Sequence, residues 1–246
     1  VEDNKIVFRA NKAWLDKESN SAPKPISRTI PDWYRKADRF AKKPDGEYYQ
    51  DPMTNGKIPT WKACPAIFDI MATGYCFRTP CDFTFTLKEN GEYKVTPKSS
   101  KYASFIEPRG VLPQFTVPHG YKETHFAWFA DWQVIVPEGY SCIYIHPANR
   151  FELPFITTSG IIDNDNLHNP GSLPFFLKEG WEGVIEAGTP IIQIIPFKRD
   201  NWDSEHEEQN NAIDIVKNQM EITSFYRTTP DGGVYKNKVW TPRRYS

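Results

Sequence analysis

The chain has 246 residues, 39% of them hydrophobic and 15% aromatic, which is enough apolar surface to build its own core. Thirty Lys and Arg stand against 31 Asp and Glu, a formal net charge of -1, so no positive excess is on hand to neutralise a phosphate backbone and general nucleic-acid binding is disfavoured. A spanning helix needs about 20 consecutive apolar residues, whereas the longest apolar stretch, 191–197, is interrupted by Gln193 and Pro196, so no membrane segment is expected.

The first 60 residues read as an extended arm, with a loop at Ser19, Asn20, Ser21, Pro23 and Pro25 and a stretch rich in Pro, Gly and Asp from Lys42 to Pro59. Between them lies one short helix with Pro31 as its first residue and Trp33, Tyr34, Ala37 and Phe40 at helical spacing. A second short helix starts at Pro65, carries Ile67, Ile70 and Met71, and stops at Gly74. From Tyr75 the apolar period changes to two. Strands are expected at 76–78 and 83–87, then, after the Asn90-Gly91 hairpin signal, through Tyr93 and Val95. Further strands follow at 127–136, 141–146, 155–162, 173–177, 183–185 and 190–198, a mostly-β barrel or sandwich. One long helix comes late: Ser204 with Glu207 three residues on reads as a capping box, and Ala212, Ile213, Val216 and Met220 form an apolar stripe for the sheet or a neighbouring subunit. The tail 230–246 reads as an arm that orders on contact. The organisation expected is therefore an N-terminal arm with short helices over 1–74, a β core over 75–200, and a C-terminal helix and tail over 201–246.

Three stretches carry the chemistry. They are the strand from Gly139 into the polar elbow His146-Pro147-Ala148-Asn149-Arg150, the turn Gly160-Ile161-Ile162-Asp163-Asn164-Asp165, and the strand from Gly188 through Gln193 to Pro196. Their order resembles the β-clip superfamily of dUTPases and dCTP deaminases. That resemblance implies a β-clip core and, for an enzyme, a turn carboxylate that orients water. Asp163 would take that role with Asp165 supporting it, Arg150, Asn149, His146 and Gln193 would bind the ligand, and magnesium would be the cofactor. The sequence departs from the superfamily at the phosphate elbow, where Pro-Arg-Ser-Ser is replaced by the residues 146–150, and after Asp165, where Asn166-Leu167-His168 stands in place of Tyr-x-Gly. A wider set, including Ile30-Pro31-Asp32-Trp33-Tyr34, Thr60-Trp61, Asp69 and Gly74-Tyr75, resembles an uncharacterised family of tailed phages and some bacteria, which has no assigned activity.

Two further chemistries are open in the sequence. His119, Glu123, His125, His146 and His168 could contribute to a metal site, although a rigid site wants three ligands together. Cys64 and Cys142 are nucleophile candidates wherever a base lies beside them, while all four cysteines fit reduced, buried thiols. The aromatic run Phe126, Trp128, Phe129 and Trp132 can fill a core, an interface or a stacking site. The first residues, Val1, Glu2 and Asp3, carry acid where a signal peptide carries base, so an intracellular setting is expected, either a virion or the host cytoplasm.

The reading is a non-catalytic phage protein, without metal or cofactor, acting as a homo-oligomer or on phage structural proteins in the virion or its assembly. A nucleotide pyrophosphohydrolase or deaminase relative and a nucleotide- or sugar-binding module are the alternatives.

Overall fold

A computed structural model describes residues 4–10, 21–52, 55–111, 116–208, 211–226 and 235–246. The chain is mostly β. Its strands are β1 (Val7–Arg9), β2 (Lys24–Pro25), β3 (Tyr75–Arg78), β4 (Phe83–Leu87), β5 (Tyr93–Pro97), β6 (Ile106–Gly110) and β7 (Tyr121–Phe129), followed by β8 (Gln133–Ile135), β9 (Tyr140–Ile145), β10 (Phe155–Thr157), β11 (Gly160–Ile162), β12 (Ser172–Lys178), β13 (Gly183–Ile185) and β14 (Pro190–Lys198). The helices are α1 (Asp32–Lys36), α2 (Pro65–Ala72) and α3 (Ala212–Tyr226). All named pairings are antiparallel: β11-β9-β14-β3-β2, β10-β12-β7-β6, β13-β4-β5, and the pair β1-β8, none of them closed into a barrel.

The residues group into two compact units. One comprises 1–29, 73–199 and 245–246, and the other 30–72 and 200–244. The first holds every named strand. Strand β4 shows how its sequence makes it: Phe83 and Phe85 point inward while Thr84 and Thr86 face water, the alternation that a half-buried strand requires. The hairpin to β5 closes at Lys88–Glu92, where Gly91 takes a φ of 79° that a side chain would resist. Aromatic rings fill the core, and Trp128 of β7 lies 3.8 Å, nearly parallel, over Phe175 of β12, its diagonal cross-strand neighbour. Phe126 and Trp132 of the same aromatic run are also buried, so the run serves packing.

Several expected elements end elsewhere. The run 127–136 begins earlier, at Tyr121, and breaks at 130–132 into β7 and β8. The run 155–162 is two strands in different sheets, because the chain crosses over at Thr157. This buried hydroxyl accepts from the Trp128 indole at 3.2 Å and donates to the Ile191 carbonyl at 2.6 Å, joining the two sheets. Strand β6 carries Glu107-Pro108-Arg109, an exposed edge without the apolar alternation that marks a strand.

In the second unit α1 stops at Lys36, where Ala37 turns extended, so Phe40 lies beyond the helix in a bridge to Pro59. Helix α2 starts at Pro65 as the sequence predicts. Gly74, at φ 81°, ends its connection in the first unit, and a Cβ there would fall 2.1 Å from the Ile194 carbonyl. The late helix begins at Ala212 rather than at Ser204. Its cap is Asn211, whose Oδ1 accepts from the Ile213 N–H at 3.0 Å, while 201–208 is irregular. Part of the tail, 227–234, lies outside the described residues; beyond it Trp240 donates its indole N–H to Asp69 of α2 at 2.8 Å.

Candidate functional site

Strand β9 lies between β11 and β14 and carries candidate residues at both of its ends. At its start stand Gly139 and Ser141. The turn after β11 brings Asp163 and Asp165 here, and the end of β14 brings Arg199, whose N–H bonds to the Gly139 carbonyl at 2.9 Å. Arg199 donates from both terminal nitrogens to the two oxygens of Asp165, with Nη1 to Oδ1 at 2.9 Å. Its Nη1 also reaches the Tyr140 carbonyl at 2.9 Å and the Ser141 hydroxyl at 3.0 Å. The Gly139 N–H donates to Asp165 Oδ2 at 2.9 Å, which completes a planar two-pronged grip of the kind a guanidinium makes with a carboxylate. Arg199, with the help of Gly139, holds the Asp165 carboxyl down to about 2.

Asp163 is placed differently. Its Oδ1 accepts from Ser141 Oγ at 2.6 Å and lies 3.4 Å from Arg199 Nη1, yet 58% of its side chain is exposed against 6% for Asp165. Between them, Asn164 is fully buried, accepting from the Tyr144 hydroxyl at 3.0 Å and donating to the Leu167 carbonyl at 2.9 Å. The turn is thus fastened by its amide to the core and by its second carboxylate to Arg199.

The elbow stands at the other end of β9. Gln193 is fully buried; its Oε1 accepts from the Ala148 N–H at 3.0 Å and its Nε2 donates to the Thr73 carbonyl at 2.7 Å. Asn149 sits at φ 58°, a left-handed position that Asn tolerates better than most residues. Arg150 donates to the Thr29 carbonyl at 2.9 Å and pairs with Glu152. The imidazole of His146 accepts from the Thr157 N–H at 3.3 Å, and burial pushes it down to about 4. These groups stitch the elbow to its neighbours.

The six residues of β9 hold the elbow and the carboxylate turn roughly 17 Å apart at the ordinary rise of a strand. Asp163 and Asp165 therefore share a site with Ser141 and Arg199, and not with His146, Asn149, Arg150 or Gln193 of the same chain. The sequence reading missed Ser141, Asn164 and Arg199. Only Arg199 left a signal there, as a cation directly after a strand whose partner turn is acidic.

Magnesium fits this arrangement poorly, because Asp165 is gripped by the Arg199 guanidinium and Asp163 stands 3.4 Å from the same cation. Among the described residues no three His, Cys, Asp or Glu side chains converge as a metal site would require. His125 is buried with Nδ1 2.8 Å from the Gly110 carbonyl, where it helps join β7 to β6. Burial pushes the Cys142 thiol up to about 12 and Cys76 to about 11, the opposite of what a nucleophile needs. No protein-family model matches the chain, and no curated protein matches it.

Proposed function

We propose that the chain is a non-catalytic protein that works by pairing with further copies of itself, with α3 as a contact element. The observation that carries this reading is the state of the helix: from Ala212 to Met220 every side chain except Asp214 is exposed, including Ile213, Ile215, Val216 and Met220. A helix of 15 residues is marginal by itself in water, and its stability in a protein comes from burying an apolar face. Twelve of the 17 large hydrophobic side chains exposed among the described residues belong to the second unit, including Trp61 and Trp202. Apolar surface gathered in this way marks interaction sites.

A second copy of the chain fits α3 better than an unrelated partner. Ile213, Val216 and Met220 form one stripe, with Asp214 and Lys217 of opposite charge within the same two turns. An antiparallel copy sets Ile213 against the partner's Met220 and Asp214 near the partner's Lys217, so the surface is complementary to itself about a two-fold axis. The grip of Arg199 on Asp165 supports the absence of catalysis in this reading. The adjacency of β11, β9 and β14 supports a β-clip-like account of the first unit, and a setting in the virion or its assembly rests on the sequence resemblance to phage proteins.

Sedimentation velocity across a concentration series tests the proposal. The native chain sediments as a dimer or larger, and the double variant Val216→Asp, Met220→Asp as a folded monomer. A native chain that stays monomeric at all concentrations, or a double variant that still assembles, refutes it. The exposed carboxylate of Asp163 favours a second reading, a nucleotide hydrolase in which this group orients water. That reading requires magnesium-dependent turnover of a nucleoside triphosphate that Asp163→Asn abolishes without unfolding the chain.

A further inference from the structure

The second unit contains a cleft of about 480 Å³, within the range of small-molecule sites, that belongs to neither β9 end nor α3. Its walls are aromatic: Tyr34, Phe68 and Trp240 line it, with Tyr34 and Phe68 stacked at 6.2 Å. Trp240 is held in place by Asp69. Its indole N–H donates to both carboxylate oxygens, at 2.8 and 3.0 Å, and Arg243 pairs with the same carboxylate at 3.2 Å. A wall fixed in this way keeps its shape for a guest.

The wall also holds one polar group ready for a guest. Tyr34 is only 4% exposed, and among the described residues its hydroxyl has no hydrogen-bond partner, although it is not sealed from solvent. Tyr34 lines the cleft, so the cleft is the side from which this hydroxyl is reached. A buried phenol normally finds a partner. Burial, with Cys64 and Asp69 nearby, raises the Tyr34 phenol above its ordinary value, so it keeps its proton and can offer it to an acceptor.

The charges around the cleft are already engaged. The Lys62 ammonium donates to the Tyr34 and Arg35 carbonyls at 2.8 and 3.4 Å and stands 4.4 Å from the centre of the Tyr34 ring. Asp38 pairs with Lys42 at 3.1 Å, and the Arg39 guanidinium lies 5.7 Å from the centre of the Phe40 ring. A charged guest would give up its water here without gaining a free counter-charge, and a cation would also meet Lys62 at the Tyr34 ring. What fits is a flat, uncharged ring that carries a hydrogen-bond acceptor, of which an amide carbonyl is the strongest common kind.

We infer that this cleft binds a small uncharged planar ring bearing an amide carbonyl, of the nicotinamide or uracil type, its ring against Phe68 and Trp240 and its carbonyl on the Tyr34 hydroxyl. The site is independent of the pairing through α3 and of the carboxylate turn, and it asks for binding without chemistry.

The test is a titration of the intact chain with nicotinamide, followed by the Trp240 indole N–H signal in a nitrogen–proton correlation spectrum. The signal is assigned with Trp240→Phe. The expected result is a saturable shift with Kd on the order of 1 mM, the range open to a ligand of this size. Nicotinate and the ring-N-methylated nicotinamide cation, the same ring with a negative and a positive charge, should each bind about tenfold more weakly. Tyr34→Phe removes the hydroxyl and leaves the buried ring in place, so it should keep the native unfolding midpoint and weaken nicotinamide about fivefold. Phe68→Ala, at an exposed position that tolerates truncation, should weaken it by a similar factor. No saturation with either nicotinamide or uracil overturns the inference. So does equal or tighter binding of a charged analogue, or binding that both variants leave unchanged.

Discussion

Arg199 and Asp165 join the end of β14 to the turn after β11 through two parallel hydrogen bonds, although Arg199 is one-third exposed and Asp165 almost wholly covered. Removing the cation leaves a covered carboxylate with no opposite charge, satisfied by the Gly139 N–H and the Asn166 side-chain amide. Arg199→Ala is therefore expected to lower the urea-unfolding midpoint, and Arg199→Lys, which keeps the charge but loses the fork, to lower it less. Asp163→Asn, at an exposed site, should change stability by less than about 0.5 kcal/mol. Equal effects at Asp163 and Arg199 would contradict this division of roles.

The other end of β9 depends on Gln193. Its amide bridges Ala148 and Thr73 from a fully buried position, so Gln193→Leu removes both bonds while nearly preserving volume. Two partly buried backbone groups then lose this partner, a loss of about 1–3 kcal/mol. Gln193→Glu adds a buried charge and should be at least as harmful. Thermal and urea unfolding of the two variants measure this, and a native-like midpoint for Gln193→Leu would show that the bridge contributes little.

Acid should act on this fold in two stages. His146 has a folded-state value of about 4 against 6.5 for an unburied imidazole, so between these values the unfolded chain binds the extra proton. Its contribution is complete above pH 6.5 and declines as pH falls to 4, with a slope approaching about 1.4 kcal/mol per pH unit. Asp165, at about 2 against 3.8, loses its contribution only as pH falls from 3.8 towards 2. His146→Asn keeps an acceptor for the Thr157 N–H and should remove the first stage while leaving the second. Stability curves that superimpose between pH 4 and 6.5 would argue against a buried neutral imidazole.

Thiol chemistry offers an independent view of the core. Cys64 is partly exposed, whereas Cys76, Cys81 and Cys142 are buried, with the Cys76 and Cys142 thiols raised to about 11 and about 12 by that burial. In the native state an aromatic disulfide reagent should modify Cys64 alone, and the other three should react only on unfolding. Rapid native labelling of Cys142 would mean that the sheet around β9 opens readily.

Much of the fold is legible in the residues themselves. Asn90-Gly91 gives the β4–β5 hairpin, Phe83 and Phe85 give an inward face, and Pro65 starts α2. What escapes is decided by distant partners. Glu107 and Arg109 make β6 look like a loop because its pairing comes from β7, and Thr157 splits a continuous apolar run because its hydroxyl meets Trp128 and Ile191. At the candidate site the two acids Asp163 and Asp165 attract attention, while the residue that fastens the turn to the core is the neutral Asn164 between them. A neutral amide in an acidic turn carries no chemical signal, and the difference between Lys198 and Arg199 emerges only once the register of β14 on β9 is known.

The pairing of copies through α3 is open to one direct measurement. In a Cys64→Ser background, Val216→Cys places a thiol on the exposed stripe near the proposed two-fold axis, and Asn218→Cys places one on the opposite face of the same helix. Mild oxidation of the first should give a covalent dimer in high yield at micromolar protein, and oxidation of the second should give no covalent cross-link. Equal cross-linking of both, or of neither, would contradict self-association through this stripe.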